Sequence, residues 1–280
     1  MPIIPGLMSY SYHLSFPAGK MTTERFMQRV QELNLKSTEW CHFPCHEPGK
    51  VDWAQVKLLH RLGLENGIKN SISGFAPLLS QGERRETMLA MVRTQLEVST
   101  FIGAQRMRFH GMAEMELGIG TPVPLDLCID NLKRVVELAE KFDIVITLEN
   151  HLDFRIADFK RIFKEIDSPF LKLNLDTGNS LPLQEDVIQL ARTFSEKIVS
   201  CHLKGVGFIW RDYGAILTSC QPAASIIDLR EILTILSGCP QPVWTHVEVV
   251  AMNAEDEDWL VAEHAKFLHE YLNDLDNVPG

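Results

Sequence analysis

The chain has 280 residues, 45% of them hydrophobic and 23% charged, globular proportions that exclude wholesale disorder, a collagen-like repeat and a low-complexity chain. Lysine and arginine number 27 against 37 aspartates and glutamates, a formal net charge of −10, so nucleic acid or an anionic membrane would meet net repulsion. No uncharged apolar run approaches the about 20 residues of a membrane span, and no signal-peptide pattern is evident at the start; the expectation is a soluble, cytoplasmic protein.

Eight short apolar runs alternate with longer segments of helical periodicity. The runs are Gly6–Tyr12, Ser37–Trp40, Ile68–Phe75, Arg106–His110, Ile144–Glu149, Leu171–Asp176, Ile198–Leu203 and Val243–Val249. Each is too short for a helix, and several are rich in β-branched or aromatic residues, which suits buried parallel strands. Between them, apolar residues recur three and four apart in Thr22–Leu35 (Phe26, Val30, Leu33), Val51–Leu62, Glu83–Ile102 (Met88, Met91, Val92, Leu96) and Pro124–Phe142. The same spacing marks Ile156–Ile166, Val187–Phe194, Leu229–Leu236 and Trp259–Leu272. Thr22 or Thr23 is placed to cap the first of these helices. Strict alternation of eight strands with eight helices predicts a (β/α)8 barrel, an α/β TIM barrel forming one domain over residues 1–280. A doubly wound open sheet is the rival, disfavoured because no glycine-rich phosphate fingerprint follows the first strand. Gly205–Ser225 is the longest irregular stretch and is read as a lid or substrate loop.

Six cysteines are present. Five (Cys41, Cys128, Cys201, Cys220, Cys239) have no regular spacing, and thiols are expected in a chain with its own core. The local cluster Cys41-His42-Phe43-Pro44-Cys45-His46 lacks the two separated ligand pairs of a structural zinc site, and Pro44 stiffens it, so it is not read as one.

A barrel places its chemistry at the carboxyl ends of its strands. There the fifth run ends in Glu149-Asn150-His151, the sixth in Asp176-Thr177-Gly178-Asn179, the seventh in His202-Leu203-Lys204-Gly205 and the eighth in Glu248. Four consecutive strands thus deliver Glu149, Asp176, His202 and Glu248 to one mouth. A lone acid there is ordinarily a helix cap, a role open to Asp176, and a lone histidine is ordinarily a satisfied loop residue. Four in register are harder to dismiss. Three converging carboxylates would repel and raise one another's pKa unless a cation neutralised them. Oxygen ligands with one imidazole favour manganese, magnesium or cobalt, with zinc as a further choice. An ion with open positions would chelate a carbonyl and its neighbouring hydroxyl and stabilise an enediolate as it develops. Glu149 and Glu248, from strands three apart, would flank the substrate carbon as acid and base.

These residues resemble the sugar phosphate isomerase/epimerase group of xylose isomerase-like TIM barrels. The likeness is carried by Leu148-Glu149-Asn150-His151, Leu175-Asp176-Thr177-Gly178-Asn179, Cys201-His202-Leu203-Lys204 and Val247-Glu248. It extends to the opening Met8-Ser9-Tyr10-Ser11-Tyr12-His13 and to Thr38-Glu39-Trp40. The resemblance implies one divalent metal on Glu149, Asp176, His202 and Glu248, with the two glutamates as acid and base. Two positions depart from the common pattern: Asn179 stands where many members have histidine, and Gly205 where many have aspartate. The Asp-Thr-Gly-Asn segment, and the spacing from His202 to Ile227-Asp228-Leu229, look closer to a branch of 3-oxo sugar acid decarboxylases. The glycine-rich turn usual there appears as Gln221-Pro222-Ala223-Ala224-Ser225.

His13, Glu39 and His110 are expected to end the first, second and fourth strands and to bind substrate. His151, Asn179, Lys204 and Arg211 are further candidates, with His151 a possible orienting partner of Glu149 and Lys204 and Arg211 possible anion contacts. The function expected is a metal-dependent isomerase or epimerase of a small keto sugar or derivative. A lyase, a decarboxylase or dehydratase of a 3-oxo sugar acid, is the alternative. A DNA-repair endonuclease would need a histidine-rich multi-zinc site and a basic groove, against the charge of −10. A non-catalytic barrel fits poorly with a full ligand set. The partner expected is a small carbohydrate, with no nucleic acid or membrane and with homo-oligomers common by resemblance.

Overall fold

The computed structural model describes residues 3–42 and 47–277, so Cys45 and His46 of the early Cys/His cluster lie outside the described residues. In chain order the elements are β1 (Ile3–Met8), α1 (Thr23–Glu32), β2 (Ser37–Trp40), α2 (Trp53–Asn66), β3 (Lys69–Phe75), α3 (Glu83–Phe101) and β4 (Arg106–His110). Then come α4 (Ala113–Leu117), α5 (Leu125–Lys141), β5 (Val145–Glu149), α6 (Ile156–Glu165), β6 (Leu171–Asp176), α7 (Val187–Thr193) and β7 (Ile198–Leu203). The chain finishes with β8 (Val206–Arg211), β9 (Gly214–Ser219), α8 (Leu229–Ser237), β10 (Val243–Val247) and α9 (Ala254–Asp276). Eight strands close in the order β1-β10-β7-β6-β5-β4-β3-β2, and every neighbouring pair in the barrel is parallel. This is the (β/α)8 barrel that the alternation predicts, and closure removes the open-sheet rival.

Three segments depart from expectation. β1 begins at Ile3 and ends at Met8, and Ser9–Tyr12 turn into a 3₁₀ helix. Ser11 explains the turn: its hydroxyl donates to the Val247 carbonyl at 3.1 Å and accepts from the Val249 amide at 3.0 Å, stitching the turn onto the last strand. His13 therefore follows a helical turn rather than ending a strand. The Gly205–Ser225 stretch is not irregular, because β8 and β9 form an antiparallel hairpin in register from Val206↔Ser219 to Arg211↔Gly214. Its far end is exposed and aromatic at Phe208, Trp210 and Tyr213. The short α4, entered through Met112 at φ +58°, has no counterpart among the expected helices.

Strand alternation divides the barrel into two surfaces. Leu7, Ile72, Met107, Phe109, Ile146, Leu148, Leu173, Leu175, Cys201 and Val247 are fully buried and belong to the hydrophobic core. Residues between them meet across the barrel interior. Ser37 Oγ lies 3.3 Å from His246 Nε2, Ser73 donates to Glu39 at 2.6 Å, and Arg106 donates to the Val199 carbonyl. Stacked branched apolar side chains commonly fill such interiors; here these contacts make part of the filling polar and hydrogen-bonded, while Asn174 and Ser200 are buried without a side-chain partner. Gly6 allows the contact of Ser37 with His246: a Cβ there would stand 2.3 Å from Ser37 Oγ and 2.4 Å from His246 Cδ2.

The apolar faces of the helices follow from their sequence. In α1, Phe26, Met27 and Val30 are buried, and Thr22 caps the start by accepting from the Arg25 amide at 3.2 Å. Asp52 caps α2 and Asp228 caps α8, accepting at 2.9 Å from the Glu231 amide. Replacing Gly6 by alanine should therefore destabilise the fold by about 1–3 kcal/mol through overpacking, measured by urea unfolding, whereas an unchanged unfolding midpoint would contradict this packing.

Candidate metal centre

Glu149 and Asp176 close β5 and β6, His202 is the penultimate residue of β7, and Glu248 follows β10 by one residue. Local structure fixes each of them. Asn150, next to Glu149, clamps the end of β6 with both ends of its amide: Nδ2 donates to the Asp176 carbonyl at 2.9 Å and Oδ1 accepts from the Asp176 amide at 2.7 Å. Asp176 Oδ1 accepts from the amides of Gly178 at 2.7 Å and Asn179 at 2.9 Å. It thus caps the turn as the ordinary reading of that residue requires, while Oδ2 faces Lys204 and His202. Thr177 bridges both backbone groups of Lys204, and the Glu248 amide donates to the Leu203 carbonyl at 3.1 Å.

All four side chains are buried, and one ligand atom from each lies within 4.8 Å of every other. His202 Nδ1 stands 3.0 Å from Glu248 Oε2, 3.2 Å from Glu149 Oε1 and 3.7 Å from Asp176 Oδ2. Donor atoms in an octahedral shell with bonds of about 2.1 Å are about 3 Å apart, so the spacing suits a small divalent cation. Glu149 Oε2, Asp176 Oδ2 and Glu248 Oε2 are buried without a properly directed hydrogen bond, as expected of oxygens reserved for an ion.

His202 turns its other nitrogen to Glu39, with Nε2 3.2 Å from both carboxylate oxygens. Glu39 is itself held by Ser73, by Arg108 Nε at 3.3 Å and by His246 Nδ1 at 3.6 Å. A carboxylate on the outer nitrogen fixes the tautomer that leaves Nδ1 free for a metal. Burial raises the Glu39 carboxyl, but His202 and Arg108 outweigh it and hold it at about 2. Burial lowers the His202 imidazole, yet Glu39, Glu248 and Glu149 together hold it well above its ordinary value. Glu149 and Asp176 likewise fall below the carboxylate range despite burial, Glu149 through Arg108 and Asp176 through Lys204. Arg108 Nη1 reaches Glu149 Oε2 at 3.2 Å, and Lys204 Nζ reaches Asp176 Oδ2 at 3.0 Å and Glu248 Oε1 at 3.3 Å.

The remaining expected residues fall at different places. Asn179 and Lys204 join the centre, with Asn179 Nδ2 donating to Glu149 Oε1 at 3.2 Å. Glu39 lies beneath it, about 1% exposed, with both carboxylate oxygens on His202 Nε2. His110 and His151 reach the cavity that Glu149 and Glu248 line with Tyr10, His42 and Arg108, about 300 Å³ in volume. His151 turns its Nδ1 to Glu114 Oε1 at 3.2 Å, and its charge also helps to hold the Glu149 carboxyl low. His13 stacks on Tyr10 and lies 3.5 Å from Glu257. Arg211 is exposed at the end of β8, paired in register with Gly214. Gly205 has no room for the aspartate common in the resembled family, since a Cβ there would stand 2.7 Å from the Cys220 carbonyl and 3.0 Å from His264 Nε2.

Arg108, Ser73, His246 and Asn150 belong to the site without having been anticipated. Arg108 carries a signal: in Arg106-Met-Arg-Phe-His110 every second residue is polar, the period of a strand with one polar face. Asn150 has none beyond its neighbours.

A family model described as a xylose isomerase-like TIM barrel matches residues 17–263. No curated protein matches the chain. Among solved structures, the chain is similar to a xylose isomerase-like TIM barrel protein from Mycobacterium smegmatis in complex with magnesium, at 17% identity and TM-score 0.69 over 98% of this chain and 97% of that one. A D-allulose 3-epimerase from Methylomonas sp., in complex with D-allulose, gives 13% identity and TM-score 0.68 over 96% and 97%. A probable 3-DHS dehydratase from Bacillus anthracis gives 13% and 0.70 over 96% and 99%.

A metal takes only the neutral imidazole, whereas His202 is held protonated in the metal-free chain. Apparent metal affinity should therefore strengthen with rising pH, by about tenfold per unit below the raised imidazole pKa, with about one proton released per ion. Calorimetry in two buffers of different protonation enthalpy measures this, and pH-independent binding without proton release would contradict it. Glu39→Gln should weaken the ion by about 10–100-fold, measured by competition with a chelator; unchanged affinity would remove its orienting role.

Proposed function

Since the chain belongs to the xylose isomerase-like TIM barrel family, we propose that it is a divalent-metal-dependent isomerase or epimerase of a small, uncharged keto sugar or sugar derivative. The observation that carries the proposal is the buried convergence of Glu149, Asp176, His202 and Glu248 at the ends of four adjacent strands. These residues would hold one ion, manganese or magnesium in type, which when bound supplies Lewis acidity to a carbonyl and its neighbouring hydroxyl.

The chain's own residues do the rest. Glu149 enters the reaction ionised, held so by Arg108, and is ready to accept the proton alpha to the carbonyl. Asn179 keeps the same carboxylate oriented from its other oxygen. Glu248 faces the same cavity and would deliver a proton that it takes up from solvent, while Glu149 releases to solvent the proton it removed. Return to the same carbon from the opposite face inverts it; return to the neighbouring carbon isomerises the sugar.

Charge bookkeeping favours this reading over the lyase. Glu39, Glu149, Asp176 and Glu248 contribute four negative charges, which Arg108, Lys204 and one divalent ion balance. Lys204 is committed to Asp176 and Glu248, Arg108 to Glu39 and Glu149, and Arg211 is exposed on the hairpin. Among the described residues, no lysine or arginine at the centre is left without a carboxylate partner to meet the carboxylate of a 3-oxo sugar acid. The D-allulose bound by the Methylomonas epimerase is a ligand of the uncharged class.

Manganese-loaded protein incubated with ketopentoses and ketohexoses in heavy water should exchange the proton alpha to the carbonyl, read by proton NMR, and a chelator should abolish the exchange. Glu149→Gln and Glu248→Gln should each slow turnover by about 10²–10⁴-fold. Normal turnover in both variants, or carbon dioxide released from 3-oxo sugar acids with no exchange on neutral sugars, would overturn the proposal.

A further inference from the structure

A second cluster stands beside the first. After β4 the chain supplies His110 and, four residues on, Glu114; after β5 it supplies His151 and, two residues on, Asp153. The β5 segment thus gives Glu149 to the first centre and its next two alternate residues to this one. One ligand atom from each of His110, Glu114, His151 and Asp153 lies within 4.8 Å of all the others. Glu114 Oε1 is 2.8 Å from His110 Nε2 and 3.2 Å from His151 Nδ1, and Asp153 Oδ2 is 3.7 Å from His110 Nε2. Around a tetrahedral ion with bonds of about 2.1 Å, donor atoms are about 3.4 Å apart, and the observed distances bracket that value.

The cluster is incomplete as it stands. Glu114 and Asp153 are 8% and 6% exposed. Asp153 Oδ1 accepts from the Glu114 amide at 3.0 Å, which turns Oδ2 toward the histidines. Glu114 Oε2 and Asp153 Oδ2 are nonetheless buried without a hydrogen bond. Among the described residues, no lysine or arginine pairs with either carboxylate. Two buried carboxylates whose only cationic partners are imidazoles are costly, and a divalent cation would supply both the charge and the missing partner.

We propose that His110, Glu114, His151 and Asp153 form a second metal site, for a zinc-type divalent transition ion. Two imidazoles and two carboxylates are borderline ligands, softer than the oxygen-rich set of the first centre. His110 and His151 line the same cavity as Glu149 and Glu248, so both ions face one substrate.

The test is stoichiometry on the full chain. Metal-free protein is dialysed to equilibrium against Zn²⁺ and its metal content measured. Two ions per chain are expected for the wild type, one for Asp153→Asn and for Glu114→Gln, and one for His202→Ala. Loading with Co²⁺ should give the intense visible bands of a four-coordinate ion in wild type and His202→Ala, lost in Asp153→Asn. A wild type that binds no ion, a single ion that Asp153→Asn retains, or an Asp153→Asn variant that still takes two, overturns the proposal, and the four-coordinate Co²⁺ bands of the wild type decide even if a variant fails to fold. A single ion that His202→Ala removes leaves the first centre standing and this one refuted. A single ion that only Asp153→Asn removes refutes the first centre and supports this one.

Discussion

Four carboxylates share one small, water-poor space at the mouth of the barrel, and the rest of the site is built to neutralise them. Two unit charges of like sign about 4 Å apart repel by about 4 kcal/mol at the effective dielectric of a protein site. Glu149, Asp176 and Glu248 each bring an oxygen within 4.8 Å of the others, and Glu39 approaches the far nitrogen of His202 at 3.2 Å. Without a metal, the counter-charge comes from Arg108, Lys204 and a protonated His202, and their directed shifts in pKa record it. A divalent ion bound there would displace the histidine proton and complete the balance. Metal binding and protonation are therefore two answers to one electrostatic demand.

The barrel meets that demand through alternation. Along each strand, one set of side chains packs outward against helices and the other points inward, and here the inward set is polar. Ser37, Ser73, Arg106, Arg108, His246 and Glu39 form a hydrogen-bonded plug that supports His202 from below. Gly6 gives up its side chain so that Ser37 and His246 can meet. Stability comes from the apolar outer faces, while the interior serves orientation. A second histidine and carboxylate group on the β4 and β5 side extends the same construction into the substrate cavity.

Much of this was legible in the sequence because closed barrels leave periodic traces. The eight apolar runs fell on the eight barrel strands, and the four metal-ligand candidates fell in register because strand ends are where a (β/α)8 barrel exposes side chains. The beginning of the chain was harder to read: Ser9–Tyr12 looks like a strand continuation by composition, and only the Ser11 link to Val247 and Val249 makes it a turn. The hairpin was hidden because Phe208-Ile209-Trp210 is too exposed to resemble a buried strand. Glu39 was found as a strand-end acid, but its contact with His202 Nε2 was not, since a linear sequence does not show which residue each imidazole nitrogen meets. The Asp228 spacing that suggested a decarboxylase branch serves as the cap of α8. Glu114 and Asp153 were missed because each lies several residues past a strand end, where loop geometry alone brings them to His110 and His151.

Anomalous diffraction from crystals grown with Mn²⁺ tests the central claim most directly. The predicted result is a manganese peak about 2.1 Å from oxygens of Glu149, Asp176 and Glu248 and from Nδ1 of His202, with Nε2 still on Glu39. A peak that excludes any of these four side chains, or a His202 ring that coordinates through Nε2, would contradict the account.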